Sequence, residues 1–195
     1  LEFRRVLFRS GAWMYDLAKS NGIVAEVNSH DIDSLLWFTG RQPVRVFAQA
    51  ANFKSPDARE KFPDFYDNVV ATITFDDGTM GIIDGTCPAH YGYDARVEIL
   101  CESGLIQLGT TLRHGLFYVT REGTGMQPAV NSWRTLFKEA YVAEMESFVT
   151  CIRENREPAV TGRDGERAVE VVLAINQSIR TGQAVELRTP VGAHE

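Results

Sequence analysis

Cysteines are few and have no pattern for pairing. Cys87, Cys101 and Cys151 are odd in number and show no Cys-x-x-Cys spacing, so neither a disulfide framework nor a cysteine-built zinc site is indicated. A reduced, cytoplasmic setting is the default that follows. No apolar run approaches the ~18 residues a helix needs to span a bilayer. Basic residues are short as well, with 20 Lys and Arg against 26 Asp and Glu and a formal net charge of −6. That balance argues against nucleic acid and anionic membrane as partners. A Gly-x-Gly-x-x-Gly stretch between a strand and a helix is also lacking. Gly78, Gly81 and Gly85 follow an Asp-Asp turn and precede no helix, which excludes them as a dinucleotide loop. The sequence shows no heptad repeat, internal duplication or low-complexity tract.

Leu1 to Ser10 contrast with everything after them. Arginines interrupt their apolar residues, so they do not form a signal peptide. Residues 1–10 read either as a basic amphipathic arm or as a non-native artefact, since their back-translation resembles the end of a common sequencing-library adapter. The second reading is adopted. It puts the natural start at Gly11, with the N-terminal part of the protein missing. Residues 11–190 are then expected to form one domain, long enough for a sizeable core, with a frayed tail at 191–195.

What is present alternates first and turns helical afterwards. Gly11 to Asn21 read as a loop whose Trp13 and Tyr15 pack. Val44, Val46, Ala48 and Ala50 alternate with Arg45, Phe47 and Gln49, and Val69, Ala71, Ile73 and Phe75 with Val70, Thr72 and Thr74; both runs predict strands. Asp76-Asp77-Gly78-Thr79 predicts a hairpin leading into a strand over 80–86. Three more strands are expected at 94–101, 105–108 and 116–120, and a short one at 184–187. Short loops imply antiparallel neighbours. Tyr141, Met145, Phe148 and Ile152 form one helical stripe, and Ala168, Val172, Ile175 and Ile179 another, with Asp164 as N-cap and Gly182 as stop. Strands flanked in sequence by helices predict an α+β fold, an open and mainly antiparallel sheet covered by helices on one face, with no Rossmann domain.

The stretch from Ile23 to Gly40 carries the chemistry. It reads as an extended apolar approach over 23–27, then a helix capped by Asn28 or Ser29, with Asp31 and Asp33 near its start and Gly40 at its end. Ile32, Leu35 and Leu36 share the buried stripe, whereas His30, Asp33 and Trp37 share another face. An imidazole off the core stripe can exchange a proton near neutral pH or can simply bond a neighbouring backbone group. Glu26, Asp33 and His30 lack a second histidine or a cysteine cluster, so no metal is assigned.

Glu26, His30, Asp33, Trp37 and Gly40 resemble the acid, three-residue gap, histidine and apolar helix of the Gfo/Idh/MocA oxidoreductases, a family that includes inositol dehydrogenase. A second block, Tyr141 to Val149, Ile152 to Pro158, Thr161-Gly162 and Ala168 to Gly182, resembles that family's C-terminal end. The family's acid is commonly Asp where Glu26 stands. The resemblance implies the substrate-binding half of an NAD(P)-dependent dehydrogenase that oxidises a secondary hydroxyl of a sugar or cyclitol. NAD or NADP would be bound by the missing N-terminal domain, together with a lysine from a Glu-Lys-Pro segment that this chain lacks. His30 would be the proton acceptor or its relay and Glu26 would orient substrate or imidazole. Asn28 and Asp33 would contact substrate, Asp33 serving alternatively as a cap or as a partner of His30. His90, Tyr91 and Tyr93 would line a sugar pocket or form a surface turn. His114 is given no role. The sheet would form a homo-oligomer interface. The alternative is a non-catalytic carbohydrate-binding or assembly domain on the same fold, with Glu26 marking the loss of chemistry.

Overall fold

The computed structural model describes residues 12–58, 60–89, 93–109, 118–119, 125–126 and 132–187. The decapeptide at the start, His90, Tyr91, His114 and the tail lie outside them. In chain order the helices are α1 (Leu17–Ser20), α2 (Gly22–Glu26), α3 (Ser29–Thr39), α4 (Trp133–Leu136), α5 (Lys138–Glu154) and α6 (Gly162–Thr181). The strands are β1 (Pro43–Ala51), β2 (Asn68–Phe75), β3 (Met80–Thr86), β4 (Val97–Cys101), β5 (Gly104–Leu108), β6 (Tyr118–Val119), β7 (Gly125–Met126) and β8 (Val185–Glu186). Two compact units divide the chain, one of residues 1–88 with 160–195 and one of 89–159.

The first unit is a four-stranded sheet in the order β3-β2-β1-β8, with antiparallel pairing throughout. Alternation sets its faces as expected. Val46, Ala48, Val69, Ala71, Ile73, Phe75 and Ile83 are buried, while Phe47, Val70 and Ile82 between them are exposed. α6 packs on β1 and α3 on β3, both against the buried side. Val171 and Ile175 of α6 and Ile32 of α3 complete the core, each full burial stabilising by ~1.5–3 kcal/mol. Tyr15 packs on Phe62 and Phe65, with ring centroids 5.8 and 4.8 Å away.

Two expectations change at the start of this unit. Where a loop was expected over 11–21, residues 12–20 contain a 3-10 turn, Ala12–Tyr15, and α1, which Asp16 begins by accepting from the Ala18 N–H at 3.1 Å. Residues 23–27 are not extended, because Ile23 and Val24 lie in α2. Their β-branched side chains favour strand locally, but both are fully buried in the core, and burial outweighs so weak a preference. Asn21 and Gly22, at φ 55° and 72°, turn the chain into α2. A Cβ on Gly22 would stand 2.7 Å from the Tyr66 hydroxyl oxygen, so conformation and space both require glycine there.

The α6 cap also differs from expectation. Thr161 is the N-cap, and Asp164 is the third helical residue of a capping box, its carboxylate accepting from the Thr161 N–H at 2.7 Å and hydroxyl at 2.8 Å. The spacing of Thr161 and Asp164 is that of the box itself. Gly182 ends the helix as expected.

In the second unit β4 pairs with β5, and β6 with β7, both antiparallel. Among the described residues these two hairpins are paired separately from the four-stranded sheet, and all pairing is antiparallel, as the expected fold class implies. α5 keeps its helical stripe, but Tyr141, Met145, Phe148 and Ile152 are all exposed. No helix among the described residues is long and apolar enough to cross a membrane.

Candidate functional site

His30 is the second residue of α3 and is exposed. Glu26, also exposed, ends α2, and Val27-Asn28 separate the two helices. Glu26 and His30 therefore belong to different helices, joined by a two-residue break. Neither side chain makes a hydrogen bond or ion pair with another described residue, which leaves an imidazole and a carboxylate for an incoming polar group.

Asn28 occupies the N-cap position of α3, but its side chain does not cap. It is 1% exposed, so it is out of a substrate's reach and its expected contact with substrate gives way to an internal one. Its Nδ2 donates to Asp31 Oδ2 at 2.8 Å. Asp31 is exposed as a residue, while its carboxylate turns inward to meet that amide. Burial pushes the Asp31 carboxyl above its usual range, opposed by the Asn28 hydrogen bond and by the charge of His30. Asp33 makes no hydrogen bond or ion pair with another described residue, so it neither caps α3 nor bonds His30.

α3 lies close against β3. A Cβ built on Gly81 would overlap the Leu35 side chain, and one on Gly85 the amide of Asn28. The start of α3, which carries His30, thus sits at the C-terminal end of β3, where the chain leaves through Thr86, Cys87 and Pro88 toward the expected sugar-lining residues. Of these, His90 and Tyr91 are outside the described residues. Tyr93 is half-buried in the second unit, its ring edge-on to Phe137 at 5.9 Å.

A set of residues at the same strand end went unnoticed in the sequence. Asp67 is fully buried and accepts from the Phe53 and Lys54 N–H groups at 2.8 and 2.7 Å. Lys54 Nζ donates to the Thr86 hydroxyl at 2.7 Å and the Pro88 carbonyl at 2.9 Å. Together they tie the turn after β1 to the exit of β3. The available signal was Asp67 directly before the alternating run of β2, where a short acceptor can close a turn; Lys54 gave none. Burial, first, and the Asp67 charge raise the Cys87 thiol, while the nearby Lys54 opposes them.

Among the described residues no group of three or more His, Cys, Asp or Glu is arranged to hold a metal ion. Their strands pair only antiparallel, and no glycine turn joins a strand to a helix N-terminus as a pyrophosphate cradle requires. These residues do not fit a dinucleotide. What they offer is a proton-exchanging group and a carboxylate at a helix start beside a strand end.

Comparison with known proteins bears on the family and the fold. The C-terminal alpha/beta domain of an oxidoreductase family, designated GFO_IDH_MocA_C, matches residues 3–187. The chain is 29% identical over 168 residues to scyllo-inositol 2-dehydrogenase (NAD(+)) of Bacillus subtilis strain 168, covering 86% of this chain and 48% of that protein. Myo-inositol 2-dehydrogenase from Lactobacillus plantarum superposes with a TM-score of 0.80 at 26% identity, over 89% of this chain and 51% of that one. Scyllo-inositol dehydrogenase from Lactobacillus casei, solved with bound NAD(H) and scyllo-inositol, gives a TM-score of 0.77 at 25% identity, over 85% and 48%. The chain spans about half the length of these relatives.

Proposed function

The chain belongs to the Gfo/Idh/MocA oxidoreductase family, as its C-terminal alpha/beta domain, and from this we infer that it is the substrate-binding half of an NAD(P)-dependent dehydrogenase. The substrate class is a sugar or cyclitol, inositol-like, oxidised at a secondary hydroxyl, and the half is inactive alone. The observation that carries the reading is an exposed His30 at the start of α3, at the exit of β3, in a fold shared with inositol dehydrogenases.

Alcohol oxidation needs a group to take the hydroxyl proton as the carbon gives up hydride. His30 supplies that group, and Glu26, a few residues back and equally exposed, holds a neighbouring substrate hydroxyl or the ring. The nicotinamide cofactor is assigned to the half of the protein outside this chain, since the described residues do not fit it. A second copy is the proposed partner for the open side of the sheet, where Phe47, Val70, Met80 and Ile82 are exposed. Patches of this kind commonly mark association surfaces.

Two measurements test the reading. Calorimetric titration of this chain with NAD(H), NADP(H) and several polyols should give at most weak polyol binding and no turnover. Tight cofactor binding by the chain alone overturns it. In a protein completed with a nucleotide-binding half, His30→Ala should lower kcat/KM by on the order of 10²- to 10⁴-fold with the fold intact. Unchanged turnover moves the proton to another residue, whereas a completed protein with no turnover at all favours the non-catalytic alternative that Glu26, in place of the family's usual Asp, also suggests.

A further inference from the structure

The seating of α3 on β3 contains a contact that the proposed chemistry leaves unused. Gly81 and Gly85 are both buried and four residues apart on one strand. Leu35 and Asn28, the side chains that fill their space, are seven residues apart on α3, two helical turns. The helix therefore runs antiparallel to the strand, closer than a side chain on either glycine permits. Gly85 does not have a left-handed φ, so its conformation does not require glycine, and the three heavy atoms nearest an added Cβ all belong to the Asn28 amide.

Asn28 is a poor choice for stability. Its Oδ1 is buried without a hydrogen-bond partner, and an orphaned buried acceptor is unfavourable. Its Nδ2 donates to Asp31, and its Oδ1 accepts from no N–H group of the helix start. A polar group placed against stability, two residues from the proposed proton acceptor, points to a role in geometry.

We propose that Asn28, held between the Asp31 carboxylate and the bare backbone of Gly85, is a positioning residue that sets where the first turn of α3, and with it the His30 imidazole, stands at the exit of β3. The assignment rests on the reading of His30 as proton acceptor. Asn28 touches no substrate and acts through the turn. Gly85 is its seat and Asp31 its second anchor, while Leu35 over Gly81 holds the other end of the helix. A helix fixed at Leu35 and loosened at Asn28 shifts most at its start, and His30 lies two residues from that point.

The test follows the His30 ring resonance of this chain, labelled with 13C-histidine and assigned with His30→Gln, together with thermal melting and myo-inositol titration. Gly85→Ala should move the His30 cross-peak, lower the melting temperature and weaken inositol binding about tenfold or more. Asn28→Ala should move the cross-peak with the melting temperature near that of the parent. In the double variant the added methyl has room, so melting should recover from the Gly85→Ala value and the cross-peak should return to its Asn28→Ala position. A purely structural contact would change melting without moving the His30 resonance. An unmoved cross-peak in Asn28→Ala, or a double variant no more stable than Gly85→Ala, overturns the proposal. Should Gly85→Ala not fold, a folded double variant supports it and an unfolded one counts against it. Inositol binding that stays unweakened in Gly85→Ala while the cross-peak moves as described sinks the reading of His30 as acceptor and leaves the positioning intact.

Discussion

Replacing Asp67 with alanine removes one carboxylate from a point where three donors converge. The residue is 0% exposed and accepts from Phe53 N–H at 2.8 Å, Lys54 N–H at 2.7 Å and the Asn68 amide at 2.5 Å. A hydrogen bond to a charged acceptor contributes ~1.5–3 kcal/mol, and a buried donor left without a partner costs ~1–3 kcal/mol. These terms do not add fully, and alanine also removes the desolvation cost of burying a carboxylate. The balance is a loss of about 3–5 kcal/mol, a third or more of the ~5–15 kcal/mol that typically separates folded from unfolded. Urea unfolding followed by far-UV circular dichroism gives the number, provided the slope with denaturant is unchanged. Asp67→Asn keeps one acceptor and should fall between parent and Asp67→Ala. A loss below about 1 kcal/mol for Asp67→Ala would mean that water satisfies the two backbone donors, and the view of Asp67 as organiser of the β3 exit would fall.

Ser178 is fully buried, accepts from the Ala48 N–H at 2.9 Å and donates to the Gln183 carbonyl at 2.7 Å; Ser178→Ala should cost about 1–3 kcal/mol by urea unfolding, and a neutral result would show that the α6–β1 contact does not need it. The Asp164 carboxyl is held below its ordinary 3.8 chiefly by the Thr161 N–H and then by the Thr161 hydroxyl. A depressed acid contributes stability that is present above the unfolded value and lost as pH falls through the folded one, so the gap between parent and Asp164→Asn in thermal melting should close as pH falls below 3.8; a gap that persists in acid would remove the capping box as its source. Ile82, 71% exposed on the open sheet side, should tolerate lysine without loss of fold, and Ile82→Lys should reduce the mass measured by light scattering if two copies meet there; an unchanged oligomer moves the interface elsewhere.

Much of the first unit was legible because burial there follows a two-residue period. Ala48 opposite Ala71 and Ile73 opposite Gly81 are positions where a one-residue slip would expose the core, so pattern and register agree. α6 was legible for the corresponding helical reason, its Ala168, Val172 and Ile175 all buried. The failures came where tertiary contacts outvote local preference. Ile23 and Val24 look like strand in a window of five residues, and their burial in the core, with the reversal at Asn21 and Gly22 over which Tyr66 closes, makes them helical. Tyr66 is held for that role by donating to Asn176 Oδ1 at 2.7 Å, while Asn176 Nδ2 reaches the Asn21 carbonyl at 2.9 Å. The three residues are far apart in sequence, and no periodicity links them.

The site divides along the same line. The exposure of His30 was legible because the face assignment places its imidazole off the apolar stripe of the helix start. Asn28 and Ser29 are both cap candidates because either residue type before a helix normally caps, yet here the Asn28 amide turns to Asp31 and the strand. What decides between those uses is the absence of a side chain at Gly85, 57 positions later in the chain. In the sequence that glycine is only a break in a strand, which commonly marks close approach of another backbone or side chain. It names no partner until the fold brings α3 across it. The α5 stripe teaches the converse, since Tyr141, Met145, Phe148 and Ile152 have the spacing of a buried face and are exposed. Periodicity reports that a helix has an apolar side, and contact with the rest of the molecule decides whether anything covers it.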